Sequence, residues 1–376
     1  MRRVKITPQI EAWAQDYADE MEGKVAHAGL KSDAAPLVKL QELENLLRDS
    51  KTEILVQFGK RRYHHYKADT QPQYADYVKL IQTVYTGLNN VKPSGYLALK
   101  NQFNKLVPDT EIVKVRVKAK RKTMSFADRV VEAMRYDAVQ SKIFGKYIRL
   151  LGFRSCVYCN AQFATTATVS KVVKEKGVFK KIRKVPGTFY ELDHNLPKSV
   201  YPFLCTNFYN LQPCCGSCNR RKNSNALDYS VYYEDGDGSD PRPLHFALLP
   251  TDVIEFRTNN KCDNIGAHLC NAGSNLPPTD KNSTLAKKFE NMFGVQGVYD
   301  EYKDLVEELL WRHKIYSKGY VSALEAQMKG IGVSSFDFKQ YILGTYTEDN
   351  DAFKRPFTIM LQDIWEQLEG KKASDI

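Results

Sequence analysis

Over the first 150 residues apolar positions recur mostly at helical spacing. Leu40, Leu43, Leu47, Ile54 and Phe58 follow a Pro36 start near that spacing, and Ser125 with Asp128 forms a capping pattern ahead of Val131, Met134 and Ala138. A mainly helical region is therefore predicted over 1–150. One segment departs from it: residues 111–122, EIVKVRVKAKRK, alternate strictly. They predict a strand with Val113, Val115 and Val117 on a core and Lys114, Arg116, Lys118 and Lys120 on the opposite face, which suits either phosphate contact or a charged, aggregation-resistant edge. From 161 to 194 the chain is rich in Thr, Val, Phe and Ile and is broken by a polar KEKG, so a hairpin is expected there. Beyond a turn-rich stretch at 234–243 come short extended pieces around HFALL and VIEFRT. After a second loop at 272–284, amphipathic helices are expected, with Leu305, Leu309, Trp311, Ile315 and Tyr316 among the apolar positions. The pattern divides the chain into 1–150, 151–228 and 229–376.

Composition adds a class. The chain has 376 residues, 43% of them hydrophobic, and no stretch approaches eighteen consecutive apolar positions; a soluble, cytoplasmic protein without a membrane partner is expected. The formal charge of +11 is uneven: 28 Lys and Arg stand against 17 acids over 1–155, 11 against 3 over 156–225, and 16 against 24 over 226–376. The first two segments suit a polyanion, because Lys and Arg displace the counterions condensed on nucleic acid. GKRRYHHYK at 59–67 mixes cations with rings in a way that suits single-strand stacking or duplex backbone contact, and equally an exposed helix end. The acidic third reads as a packing or partner-binding region. There is no P-loop, so nucleotide hydrolysis would belong to another chain.

Eight cysteines without a secretory signal argue for thiols in a reducing compartment. Cys156 and Cys159 form one CxxC, Cys215 and Cys218 a second, with 55 residues between the pairs. Four thiolates so arranged close a tetrahedral zinc shell, and Cys214 competes with Cys215 for the third place. Cys205 reads as core, and Cys262, His268 and Cys270 as buried side chains without a fourth ligand.

Between the knuckles the order is strand, strand, Asp193-His194, Asn210-Leu211, CxxC-Asn, helix. With Pro197 and Lys222 in place, this order resembles the HNH endonucleases and their ββα-metal core; the long basic hairpin departs from the family pattern in length. The variety with DH-xx-PKS-xYP and CN-xx-K looks most like nucleases of prokaryotic anti-phage defence, such as the HNH subunit that accompanies an ATPase in Septu-type systems. The resemblance spans about 70 residues. It implies an α+β chain with a nuclease core flanked by mainly helical regions, acting on DNA.

The residue chemistry agrees with the resemblance. Phosphodiester hydrolysis needs a base near neutral pH, for which His194 is the candidate, and a cation to neutralise charge on phosphate and leaving oxygen. Asp193 and Asn219 supply hard oxygens for Mg²⁺ or Mn²⁺, as the equivalent motif positions do in the family. Asn210, by the resemblance, braces the loop carrying His194, a role for which Asn207 is the alternative. Arg220, Arg221 and Lys222, with Lys180, Lys181, Arg183 and Lys184 on the hairpin, are candidates for phosphate contact. The competing readings are an HNH nuclease acting on RNA and a zinc-stapled nucleic-acid-binding or scaffold protein that does not cut.

Overall fold

The computed structural model describes residues 1–24, 35–175, 178–225, 227, 229–262, 265–279, 284–333 and 336–370; of 171, 173–175, 178–183, 185 and 186 it describes the backbone alone. The described residues form a mixture of helices and five small sheets. Strand β1 (Val4–Lys5) precedes the helices Pro8–Met21 and Pro36–Leu47. The second of these carries Leu40, Leu43 and Leu47 on its buried side and ends there. Ile54 and Phe58 belong to a strand instead, β2 (Glu53–Gly59), which turns into β3 (Arg62–Lys67). The expected helix at 54–58 and the helix-end alternative for 59–67 are both corrected: four-residue spacing between two apolar residues fits a strand as well, since positions i and i+4 share a face in either geometry.

β4 (Val115–Ala119) and β5 (Lys122–Ser125) complete an antiparallel sheet in the order β3-β2-β4-β5. Val115 and Val117 are buried as the alternation predicts, but Val113 precedes the strand and is exposed. Ser125 then caps the helix Phe126–Ala133, its hydroxyl accepting from the Asp128 amide at 3.0 Å.

β6 (Thr165–Glu175) and β7 (Val178–Phe189) form the expected hairpin. β8 (Glu191–His194) pairs antiparallel with β9 (Leu211–Cys214), and the helix Gly216–Lys222 follows directly. Downstream, β10 (Tyr232–Tyr233) pairs with β1, and β11 (Leu244–Ala247) with β12 (His268–Asn271). HFALL is extended, but VIEFRT lies in the helix Pro250–Asn259, which Pro250 opens where proline fits a helix's first turn. The helices Leu285–Phe293, Lys303–Ile315 and Lys318–Gly330 are present, and Leu309 is buried, whereas Ile315 is 62% exposed and Trp311 stands at the surface. One hydrophobic cluster runs from Met1 to Leu368 and takes in all three sequence regions. Arg2 is drawn into it by ion pairs with Asp349 and Asp363. Among the described residues no helix is long and apolar enough to cross a membrane.

Candidate functional site

The β8–β9 hairpin and the helix after it carry two chemically different sites. The first is built from sulfur. Cys156 and Cys159 sit in the turn before β6, Cys215 at the N-cap of the helix Gly216–Lys222, and Cys218 in its first turn. Their sulfurs lie within 4.8 Å of one another and all four residues are buried, so the cluster can hold one zinc ion. Hydrogen bonding from the Cys156 thiol holds Cys215 and Cys159 below the ordinary thiol range, whereas Cys156, chiefly by burial, and Cys218 lie above it. Cys214 is not in the cluster. Its sulfur faces the Glu191 carbonyl at 3.6 Å, because alternation along β9 sends 214 and 215 to opposite sides, and Cys215 is the third ligand candidate. Cys205, Cys262 and Cys270 are buried, and no second metal cluster occurs among the described residues.

The second site opens to solvent. Asp193, His194, Lys198, Asn219, Arg220 and Asn223 line one cavity of about 480 Å³. His194 is 4% exposed, and its Nε2 lies 2.9 Å from the Cys205 carbonyl oxygen. A carbonyl can only accept, so Nε2 carries the hydrogen and Nδ1 holds the lone pair. Burial, with Lys198 and Lys222 adding positive charge, lowers the pKa of His194 to about 3. The ring is neutral at physiological pH. Tyr136 packs on it, ring centroids 4.8 Å apart, and donates its hydroxyl to the Leu192 carbonyl at 2.9 Å.

Asp193 is held from behind. The Tyr158 hydroxyl donates to its Oδ2, and Lys222 Nζ approaches the same oxygen at 2.8 Å while donating to the His194 carbonyl at 2.8 Å. Lys222 is thus fully buried under the Asp193-His194 strand; its expected contact with phosphate is corrected. Asn219 donates through Nδ2 to Glu191 at 2.6 Å, which orients Oδ1 as its remaining oxygen. Asn210 is the brace: its Oδ1 accepts from Leu196 N at 2.7 Å, and its Nδ2 donates to the carbonyls of Leu196 at 3.1 Å and Leu204 at 3.0 Å. Asn207 acts one step further back, accepting from the Asn210 amide at 3.0 Å and from the Tyr96 hydroxyl at 2.6 Å.

Of the cations expected at phosphate, Arg220 is exposed and lines the cavity. Arg221 is partly spent on packing, Nη1 donating to the Phe293 carbonyl at 2.8 Å. On the hairpin Lys184 is exposed, while the side chains of Lys180, Lys181 and Arg183 lie outside the described residues.

Four contributors escaped sequence reasoning. Glu191 stands two residues before Asp193 on the same strand face, a spacing that strand alternation makes meaningful. Tyr158 sits inside the first CxxC. Lys198 belongs to the PKS stretch beside the motif and lies with Nζ 4.3 Å from the Tyr136 ring centroid. Nothing local to Tyr136 marks it. A larger cavity of about 1070 Å³ adjoins across Lys198, but its lining balances four cations against four acids and lacks the motif residues.

Compared with models of protein families, with characterised proteins and with solved structures, the chain matches none.

Proposed function

We propose that the chain is a metal-dependent HNH-type endonuclease that hydrolyses phosphodiester bonds in DNA, with zinc in the four-cysteine cluster as a structural staple. The observation that carries the reading is the state of His194: a neutral imidazole with Nε2 anchored on Cys205, Nδ1 left as acceptor, at a cavity shared with a carboxylate and a side-chain amide. A structural histidine would have no need of that company.

Asp193 and Asn219 fit a hard divalent cation. The first keeps Oδ1 clear of the Tyr158 and Lys222 contacts, and the second is turned by Glu191 to offer Oδ1. Such a cation, Mg²⁺ or Mn²⁺, neutralises charge on the phosphate and on the departing oxygen when bound. His194 Nδ1 takes the proton from the attacking water. Asn210 fixes the loop after it through three backbone hydrogen bonds, so the ring keeps its aim. Lys222 pairs with Asp193 from behind, and Arg220 and Lys198 bring positive charge to the cavity that receives the phosphate. An incoming phosphodiester anion also raises the proton affinity of His194, offsetting part of the burial that keeps it neutral.

By the motif resemblance, the activity belongs to prokaryotic anti-phage defence with a separate ATPase, for which the acidic C-terminal region is the docking candidate. The test is incubation with supercoiled plasmid, single-stranded DNA and RNA, with and without Mg²⁺ or Mn²⁺. His194→Ala is expected to retain binding and to lose cleavage by roughly 10²–10⁴-fold, the usual worth of a positioned base. Cleavage of plasmid by His194→Ala at the parent rate would end the reading, and a preference for RNA would change the substrate.

A further inference from the structure

The sheet of the N-terminal region ends in an edge that the cleft does not use. β3 is the outer strand of the order β3-β2-β4-β5, and all but one of its six residues are exposed. Along it three rings stand in series. Phe58, 56% exposed, stacks on His64 at 4.1 Å between centroids with 24° between planes, and Tyr66, 39% exposed, follows at 6.4 Å. Register explains the row: Val56 pairs with His64 and Ile54 with Tyr66, so both rings project to the side where Ile54 is buried, beyond the margin of the core.

Cations flank the rings along the chain. Lys60 and Arg61 form the turn, Arg62 opens the strand and Lys67 closes it, all exposed, and residues 59–67 contain no acid. Glu53, across the register from Lys67, is already engaged by Lys118 at 2.9 Å and His65 at 3.3 Å.

We infer that the β3 edge is a binding platform for single-stranded nucleic acid, with bases on the Phe58–His64–Tyr66 row and phosphates on Lys60, Arg61 and Arg62. Rings accept any base face, and clustered unpaired cations take a backbone. A duplex would keep its bases from the rings. A second copy pairing edge to edge would set four cations against four, which the charge opposes. The inference deepens the nuclease reading and rests on it for the choice of a nucleic acid over an acidic peptide: the platform would hold a single-stranded flank of the substrate.

The experiment uses the full chain without added divalent cation and reads fluorescence anisotropy of a short oligothymidylate and of a duplex of equal length. Phe58→Ala with Tyr66→Ala is expected to weaken oligothymidylate binding by about tenfold or more, since each stacked base is worth that much by alanine substitution, with a smaller effect on duplex. Arg61→Ala with Arg62→Ala should flatten the slope of log affinity against log salt by about 0.7 for each phosphate left without its cation. Both rings are exposed, and Phe58→Trp, which keeps a stacking face, should restore the parent affinity. Unchanged oligothymidylate binding in the ring variant overturns the platform. So does equal competition by polyglutamate of matched charge, or a parent dimer that the ring variant dissolves. Plasmid cleavage by parent and His194→Ala judges the nuclease reading separately: a cutting enzyme whose ring variant binds like the parent loses the platform alone, and a non-cutting protein with ring-dependent binding loses only the nuclease.

Discussion

The sulfur cluster and the Asp193-His194 cleft share one hairpin and one seven-residue helix, yet they are built on opposite terms. Around the cysteines every donor is buried, the four sulfurs lie within 4.8 Å of one another, and one of them, at the helix N-cap, also accepts from the Cys218 amide. Around the cleft each motif side chain is pinned through one atom and keeps another clear of those contacts: Nδ1 of His194, Oδ1 of Asn219, Oδ1 of Asp193. A closed donor set has nothing left to offer a substrate and so contributes to folding; a half-satisfied set costs stability and keeps capacity for chemistry. Variants at the two sites should separate along that line.

The largest effect is expected from the closed site. Cys218→Ser removes a sulfur from the cluster and should abolish zinc retention, read as zinc per chain by elemental analysis. Loss of cooperative unfolding should accompany it, because binding energy at a structural site is folding energy. A zinc-free parent with normal melting would break the comparison at its first term. Both CxxC pairs are legible in sequence because thiolate chemistry needs a specific spacing, whereas the choice between Cys214 and Cys215 is made by the fold, which turns the Cys214 sulfur to the Glu191 carbonyl.

A middle effect is expected where the open site is pinned. Lys222→Met strips the buried Asp193 carboxylate of the ammonium that stands 2.8 Å away, and should destabilise by about 3–5 kcal/mol, the usual cost of stranding one member of a buried pair. Adding Asp193→Asn should return much of that stability while leaving cleavage dead, measured by denaturant unfolding and plasmid nicking on the same samples. No gain in the double variant would mean that Lys222 acts through the His194 carbonyl and not through the carboxylate.

Lys222 also marks where sequence reasoning stops. In CNRRK nothing distinguishes the buried cation from Arg220 and Arg221; the difference arises because the helix carries position 222 beneath β8, towards Tyr158, 35 residues upstream of Asp193. Burial of a charge is decided by its partner, and that partner is remote in the chain. The β2–β3 hairpin was illegible for a local reason: Ile54 and Phe58 satisfy helical and strand spacing alike, and Lys60-Arg61 lacks the Gly or Asn that announces a tight turn. Trp311 and Ile315 illustrate the opposite failure, apolar residues at helical spacing that the fold leaves at the surface.

The smallest expected effect comes from the proton that His194 refuses. In the unfolded chain its pKa is the ordinary 6.5, and in the fold burial lowers it to about 3. Between those values the unfolded state binds a proton that the native state excludes, so the contribution to stability is fully present above pH 6.5 and drains away as pH falls towards 3. His194→Asn keeps a donor for the Cys205 carbonyl and removes the titration. Over that window, without added divalent cation, parent stability should therefore fall more steeply with acid than that of the variant, by up to about 1.4 kcal/mol per pH unit for one proton. For the same reason, cleavage by the parent should show no acid limb near 6.5 from protonation of the free base. Parallel stability curves for parent and variant would mean that His194 titrates as an exposed histidine, that its Nδ1 is protonated over part of the working range, and that the contrast between a closed site and a pinned, open one does not hold at its central residue.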